Sequence, residues 1–230
     1  MTFTQPSSER SGADRKLLSV NIGQPTPVDI GPRREMSGID KQPLPGRVRV
    51  TEGGLAGDHV LDTRHHGGPD QAVYVYTQED YAHWEAKLGR PLPPGFFGEN
   101  LVIDGLESAA MRIGDQLEIG GAGGVRLEVT APRIPCGLFA AHIGDPAFVK
   151  TFKQVARPGF YTRVLRGGEV GTDDGVRLIP GSADAPSIGD LFALHYKRSP
   201  DPQKLEAYLK FPLAVRVRAN LEKKLTKARA

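Results

Sequence analysis

A single cysteine, Cys136, is the most informative scarcity in this 230-residue chain. It excludes an internal disulfide, and it excludes zinc ribbons and thiolate-held iron–sulfur clusters, which need about four sulfurs each. Redox chemistry would have to use another centre or borrow electrons from a partner. No run approaches the roughly 18 apolar residues of a membrane span, and the first sixteen residues are polar, without the apolar run of a signal peptide. The expectation is a soluble cytoplasmic protein that engages no membrane. Walker loops, GxGxxG after a strand, GxSxG and HExxH are all missing. Nucleotide hydrolysis, dinucleotide-dependent chemistry and α/β-hydrolase catalysis lose their usual signatures.

Turn formers are abundant instead. Gly 28 and Pro 19 make up about a fifth of the chain, against a usual share of about 12%. That excess predicts many short strands joined by tight turns. Alternation predicts strands at 17–23, 47–50, 72–76, 111–120, 125–130, 159–166, 175–179 and 190–196. Ile-Gly-Asp occurs at 113–115 and again at 188–190, and is read both times as a turn entering a strand. One helix is predicted after Thr77, with an apolar face of Tyr81, Trp84 and Leu88 and a stop at Gly89. A second is predicted from Asp145, with Phe148, Phe152 and Val155 on one face. The expected fold class is mainly β with α: a closed or nearly closed β-barrel with a few helices and a short helical C-terminal tail. The expected organisation is a disordered N-terminus (1–15), a barrel domain (16–196) and a helical appendage (197–230). In the appendage Pro212 separates two helices.

Three groups of residues suit chemistry. Cys136 follows an apolar strand between Pro135 and Gly137, with Arg133 three residues back. It is either a small buried hydrophobe or a thiolate available to a metal or as a nucleophile. The long irregular segment 53–71 ends in Arg64, His65, His66, Gly67 and Gly68. It is either a solvated loop or an anion-binding one, in which glycine backbone approaches a ligand that Arg64 and His66 also contact. Beyond Cys136, Arg157, Tyr161 and Arg163 flank a predicted turn and strand; each is structural or ligand-binding.

The segments GDHVLDTRHHGGPDQAVYVY (57–76), FGENLVIDGL (97–106), IGDQLEI (113–119), APRIPCGLF (131–139) and GFYTRVLRGGEV (159–170) resemble, in that order, the MOSC domain. That domain is named for the C-terminal part of molybdenum-cofactor sulfurases, and the likeness is greatest to bacterial stand-alone members associated with resistance to N-hydroxylated purines. The resemblance covers about residues 16–196. It implies a barrel-like fold binding molybdenum cofactor (Mo-molybdopterin), with Cys136 as metal ligand and catalytic residue and His66 as a proton donor. Arg64, Gly67, Gly68, Asp58, Asn100, Arg133, Arg157, Tyr161 and Arg163 are then the candidate cofactor contacts, Asp58 and Asn100 equally being structural. Gln71 departs from the resemblance, since bacterial members often carry Lys there. Pyridoxal phosphate stays open as another phosphate-bearing ligand for such residues.

The implied reaction is reduction of a small-molecule N-hydroxylated substrate, such as a hydroxylaminopurine, to the amine. A separate flavin or iron–sulfur protein would donate the electrons. Two other roles stay open: a sulfur carrier with a Cys136 persulfide, and a non-catalytic cofactor-delivery module. The net charge of +3 superficially suggests nucleic acid, but ten Lys/Arg and three Asp/Glu follow residue 196, leaving 20 basic and 24 acidic residues before it. The body is therefore acidic, and no nucleic-acid partner is expected. The basic tail is expected to pack on that body or to meet an acidic electron donor.

Overall fold

In the computed structural model, which describes residues 15–61 and 67–229, Val73 and Val75 turn to one face of a strand and Tyr74 and Tyr76 to the other. All four are buried, because both faces of the sheet are covered. The elements in order are β1 (Leu17–Gly23), β2 (Thr26–Ile30), β3 (Arg33–Ser37), β4 (Lys41–Pro43), β5 (Val48–Thr51), β6 (Gly54–Leu55), β7 (Val73–Thr77), α1 (Gln78–Leu88), β8 (Leu101–Ile103), β9 (Gln116–Ile119) and β10 (Val125–Pro132). There follow α2 (Gly137–Ile143), α3 (Phe148–Val155), β11 (Phe160–Arg166), β12 (Gly168–Val170), β13 (Val176–Ile179), α4 (Ile188–Tyr196), α5 (Pro202–Tyr208) and α6 (Val215–Arg229).

Eight strands form one sheet in the order β13-β9-β10-β11-β7-β8-β1-β4; smaller sheets join β12-β5-β6 and β2-β3. The barrel expectation holds only as near closure. Leu17 donates to the Asp174 carbonyl at 2.9 Å and Val176 to the Arg15 carbonyl at 2.9 Å. These bonds bring the start of β1 against the start of β13 through one isolated bridge, not a continuous ladder. Val, Leu and Ile side chains fill the concave side. Against the other face pack Tyr76, Trp84, Phe97, Phe139, Phe148 and Phe152, an aromatic layer under α1–α4. Gly159 lets the turn before β11 lie on this layer: its φ is +64°, and a Cβ there would stand 2.6 Å from the Tyr76 ring.

The first helix starts and stops where the sequence predicts, with the Thr77 hydroxyl accepting from the Asp80 amide at 3.2 Å and Gly89 left-handed. Leu88 nevertheless leaves the apolar face for solvent. The second begins at Phe148 instead of Asp145, because the Asp145 carboxylate takes the Ala147 amide at 2.8 Å and closes a turn first. Residues 190–196 are a correction: they form the body of α4, not a strand. The Ser187 hydroxyl accepts from the Asp190 amide at 3.0 Å, and the Asp190 carboxylate accepts from the Ser187 amide at 3.2 Å. This capping box starts a helix from the same Ile-Gly-Asp that leads into β9 at 113–115, where Arg112 and not a serine precedes.

The basic tail docks on the body. Leu205, Tyr208, Leu213 and Leu221 join the aliphatic core, and Ala214 donates to the Thr130 carbonyl at 3.0 Å. Asp70 links the two parts: one oxygen pairs with Arg163 at 3.0 Å and the other accepts from the Val215 amide at 3.0 Å. Arg163 also donates to the carbonyls of Pro212 and Leu213. Arg163→Ala is expected to cost about 1–2 kcal/mol of stability and to speed proteolysis around residues 197–214. An unchanged melting temperature and digestion pattern would contradict this anchoring.

Candidate functional site

A register irregularity in β10 between Val129 and Ala131 sets up the site. Before it, Val125, Leu127 and Val129 face the aliphatic core; after it, Ala131 faces the aromatic side instead. Arg133, two residues further, follows the same alternation and arrives beside Tyr74, with its guanidinium carbon 5.1 Å from that ring centre and 4.4 Å from Phe139. Arg133 is only 3% exposed, and its Nε has no hydrogen-bond partner among the described residues. No carboxylate among those residues lies within ion-pair distance of it. A buried cation with unspent donor capacity is costly unless an anion completes it.

Arg133 lines a cleft of about 560 Å³ together with Gly38, Lys41, Tyr74, Gly98 and Asn100. Gly38 permits the wall, because a Cβ there would meet the His59 carbonyl oxygen at 1.9 Å. Lys41 is buried and paired with Asp58, whose other oxygen accepts from Asn100 Nδ2 at 2.8 Å. Burial lowers the Lys41 pKa, against the pull of Asp58 and Glu99. Glu99 lies fully buried nearby, accepting from the Tyr81 hydroxyl at 2.6 Å and the Gly95 and Phe97 amides at 2.6 and 3.1 Å. Burial pushes its carboxyl up to about 7 despite these donors.

Gln71 and Tyr161 line this cleft and also a second one, of about 1040 Å³. There Cys136, at the N-terminus of α2, faces His195 from α4 and Arg216 and Asn220 from α6. Ile134, Leu191, Val217 and Leu221 supply apolar walls. Burial pushes the Tyr161 hydroxyl pKa up, with Arg133 opposing. Arg216 donates to the Gly67 carbonyl at 2.8 Å and to the Gln71 amide oxygen. A guanidinium from α6 thus lies against Gln71, the position where the resemblance leads one to expect lysine.

Of the residues named from sequence, Gly67, Asn100, Arg133 and Tyr161 line the first cleft, and Cys136 and Tyr161 the second. Asp58 backs the first through Lys41 and Asn100, and Gly68 accepts the Gln71 amide in the adjoining turn. Arg157 and Arg163 line neither. Arg157 pairs at 2.8 Å with buried Asp80, and Arg163 anchors the tail. Arg64 and His66 lie outside the described residues. Lys41, Glu99, His195, Arg216 and Asn220 were not singled out from sequence. Lys41 sits in an aperiodic Pro/Gly-rich stretch, and the others reach the site only through tertiary packing. Among the described residues no three His, Cys, Asp or Glu side chains converge as a metal site.

The carboxyl of Glu99 generates a pH prediction. Its folded pKa, about 7, exceeds its ordinary value, so between the two the folded chain holds a proton that the unfolded chain has released. The associated stability is present below the ordinary carboxylate pKa and is lost as pH rises through about 7. Comparison with Glu99→Gln cancels the other titrating groups. The melting-temperature difference between the two is expected to shift against the wild type from about pH 5 to about pH 8. A constant difference would contradict this assignment.

Comparison with known proteins bears on the same residues. The family model described as MOSC domain matches residues 62–177. YflK of Bacillus subtilis is 36% identical over 163 residues, 71% of this chain and 72% of that protein. A protein named Reductase from Gibberella moniliformis is 33% identical over 71% of this chain but only 29% of its own length. The crystal structure of YiiM from Geobacillus stearothermophilus superposes with a TM-score of 0.74 at 26% identity, covering 92% of this chain and 99% of that one. The chain belongs to the MOSC domain family.

Proposed function

We propose that this chain binds molybdenum cofactor and reduces N-hydroxylated compounds, hydroxylaminopurines among them, to amines. The observation that carries the reading is a buried, incompletely partnered Arg133 in one cleft, adjoining a second cleft that contains the chain's one thiol. The cofactor carries a phosphate and brings its own sulfur donors, so it asks of the protein a buried cationic pocket and one soft ligand. The residues present fit: Arg133, Lys41 and the backbone at Gly38, Gly67 and Gly98 would hold the phosphate and pterin, and Cys136 the metal. Arg64, Gly68 and Tyr161 are assigned to the same ligand. Asp58 and Asn100 fix its walls. When bound, the group supplies two-electron redox chemistry at an oxygen-accepting metal.

The chain's own residues bind, orient and protonate. Cleavage of the N–O bond consumes two electrons and two protons and releases the amine and water. His66 is assigned to proton delivery. With one cysteine and no nucleotide signature in the sequence, the electrons are assigned to a separate flavin or iron–sulfur protein. The name of the fungal relative, Reductase, matched over 29% of its length, supports a reductive reading of this chain.

Full-length protein from a cofactor-making host is expected to contain molybdenum and a fluorescent pterin and to reduce hydroxylaminopurine with a chemical reductant. Cys136→Ala is expected to abolish turnover. Arg133→Met is expected to lose about 2 kcal/mol or more of cofactor affinity, as for a charged hydrogen bond. A persulfide on Cys136 without metal or pterin would contradict the reading, as would a loaded wild type that reduces no hydroxylamine.

A further inference from the structure

The second cleft holds polar groups that the fold itself does not use. Neither His195 nor Asn220 makes a side-chain hydrogen bond among the described residues, yet both line the cleft that Cys136 also lines. Asn220 offers a donor and an acceptor together. Burial, with Lys224 and Lys153 nearby, lowers the His195 pKa, so near neutrality its ring also offers one of each. Carboxylate and phosphate oxygens use donors only, whereas paired donors and acceptors match the edge of a nitrogen heterocycle. Leu191, Val217 and Leu221 give apolar surface for its faces.

The helix carrying Asn220 is fixed in place. Ala214 bonds the Thr130 carbonyl, Val215 bonds Asp70, and Arg216 bonds Gly67 and Gln71. Because Gln71 and Tyr161 belong to both clefts, a ligand in the second cleft adjoins the phosphate and pterin assigned to the first and shares its own cleft with Cys136, the assigned metal ligand.

We propose that the second cleft is the substrate site, that α6 is its specificity wall, and that Asn220 and His195 read the edge of a flat N-hydroxylated heteroaromatic. This rests on the reductase reading for its substrate class. The appended helices therefore belong to the active site and are not a detachable module. Asn220 and His195 are binding residues; Arg216 positions Gln71 and the 67–71 segment between the clefts.

Cys136 is the chain's one cysteine, so iodoacetamide alkylation reports occupancy of this cleft without cofactor or turnover. On the full-length, cofactor-free chain, hydroxylaminopurine and its amine product adenine are expected to slow alkylation saturably. Asn220→Ala and His195→Phe are each expected to raise the half-protecting concentration about tenfold, the loss of one hydrogen bond and its partner's satisfaction, with an unchanged melting temperature. In cofactor-loaded protein the same substitutions are expected to raise KM. Turnover by the loaded wild type without any protection would overturn the cleft assignment and leave the reductase reading standing. Equal protection in the wild type and both variants would also overturn it. Protection that both variants weaken, in a protein that reduces nothing, would support the cleft and sink the reductase reading.

Discussion

The buried guanidinium of Arg133 is the constraint around which the site is organised. A charge 3% exposed survives there because Tyr74 and Phe139 lie against it and Glu99 lies nearby. Aromatic faces and a carboxyl half-protonated near neutrality compensate it only partly, and Nε is left without a partner. Its position follows from the irregularity in β10, which turns residues after Val129 from the aliphatic core to the aromatic side. One backbone irregularity thus converts a core strand into the floor of an anion-receptive cleft. It also delivers Cys136 three residues later at the start of α2.

The same economy governs the tail. Its positive charge is spent locally: Arg216 on Gly67 and Gln71, Arg218 on the carbonyls of Leu209 and Phe211, Lys204 on Asp190. Elsewhere basic groups serve the body in a similar way, with Arg126, Arg166 and Arg177 converging on Glu118 and holding its carboxyl down at about 2. Part of the basic charge here thus serves docking and sheet-surface ion pairs.

Sequence pattern disclosed the elements whose information is local. The alternation of Val73–Tyr76, the Thr77 cap and the Phe148/Phe152 spacing all appear in the fold, the last two burying the predicted rings. Residues 190–196 misled because their apolar alternation is compatible with a strand, while the decisive signal was the Ser187–Asp190 capping box just upstream. In the site, Cys136 and Arg133 were visible because an isolated cysteine and a nearby cation share one segment. Lys41, Glu99, His195 and Asn220 were not. Each is ordinary in its own sequence context and acquires meaning only when β4, the 95–100 loop, α4 and α6 are folded together. Arg157, left from its sequence context as structural or ligand-binding, pairs its charge with buried Asp80.

The central claim is that Cys136 ligates the metal of a cofactor whose phosphate Arg133 secures. X-ray absorption at the molybdenum edge on cofactor-loaded protein tests it most directly, comparing wild type with Cys136→Ser at equal metal content. The account predicts one fewer sulfur neighbour in the variant, with the cofactor's own sulfurs unchanged. Identical sulfur coordination in the two proteins would contradict it.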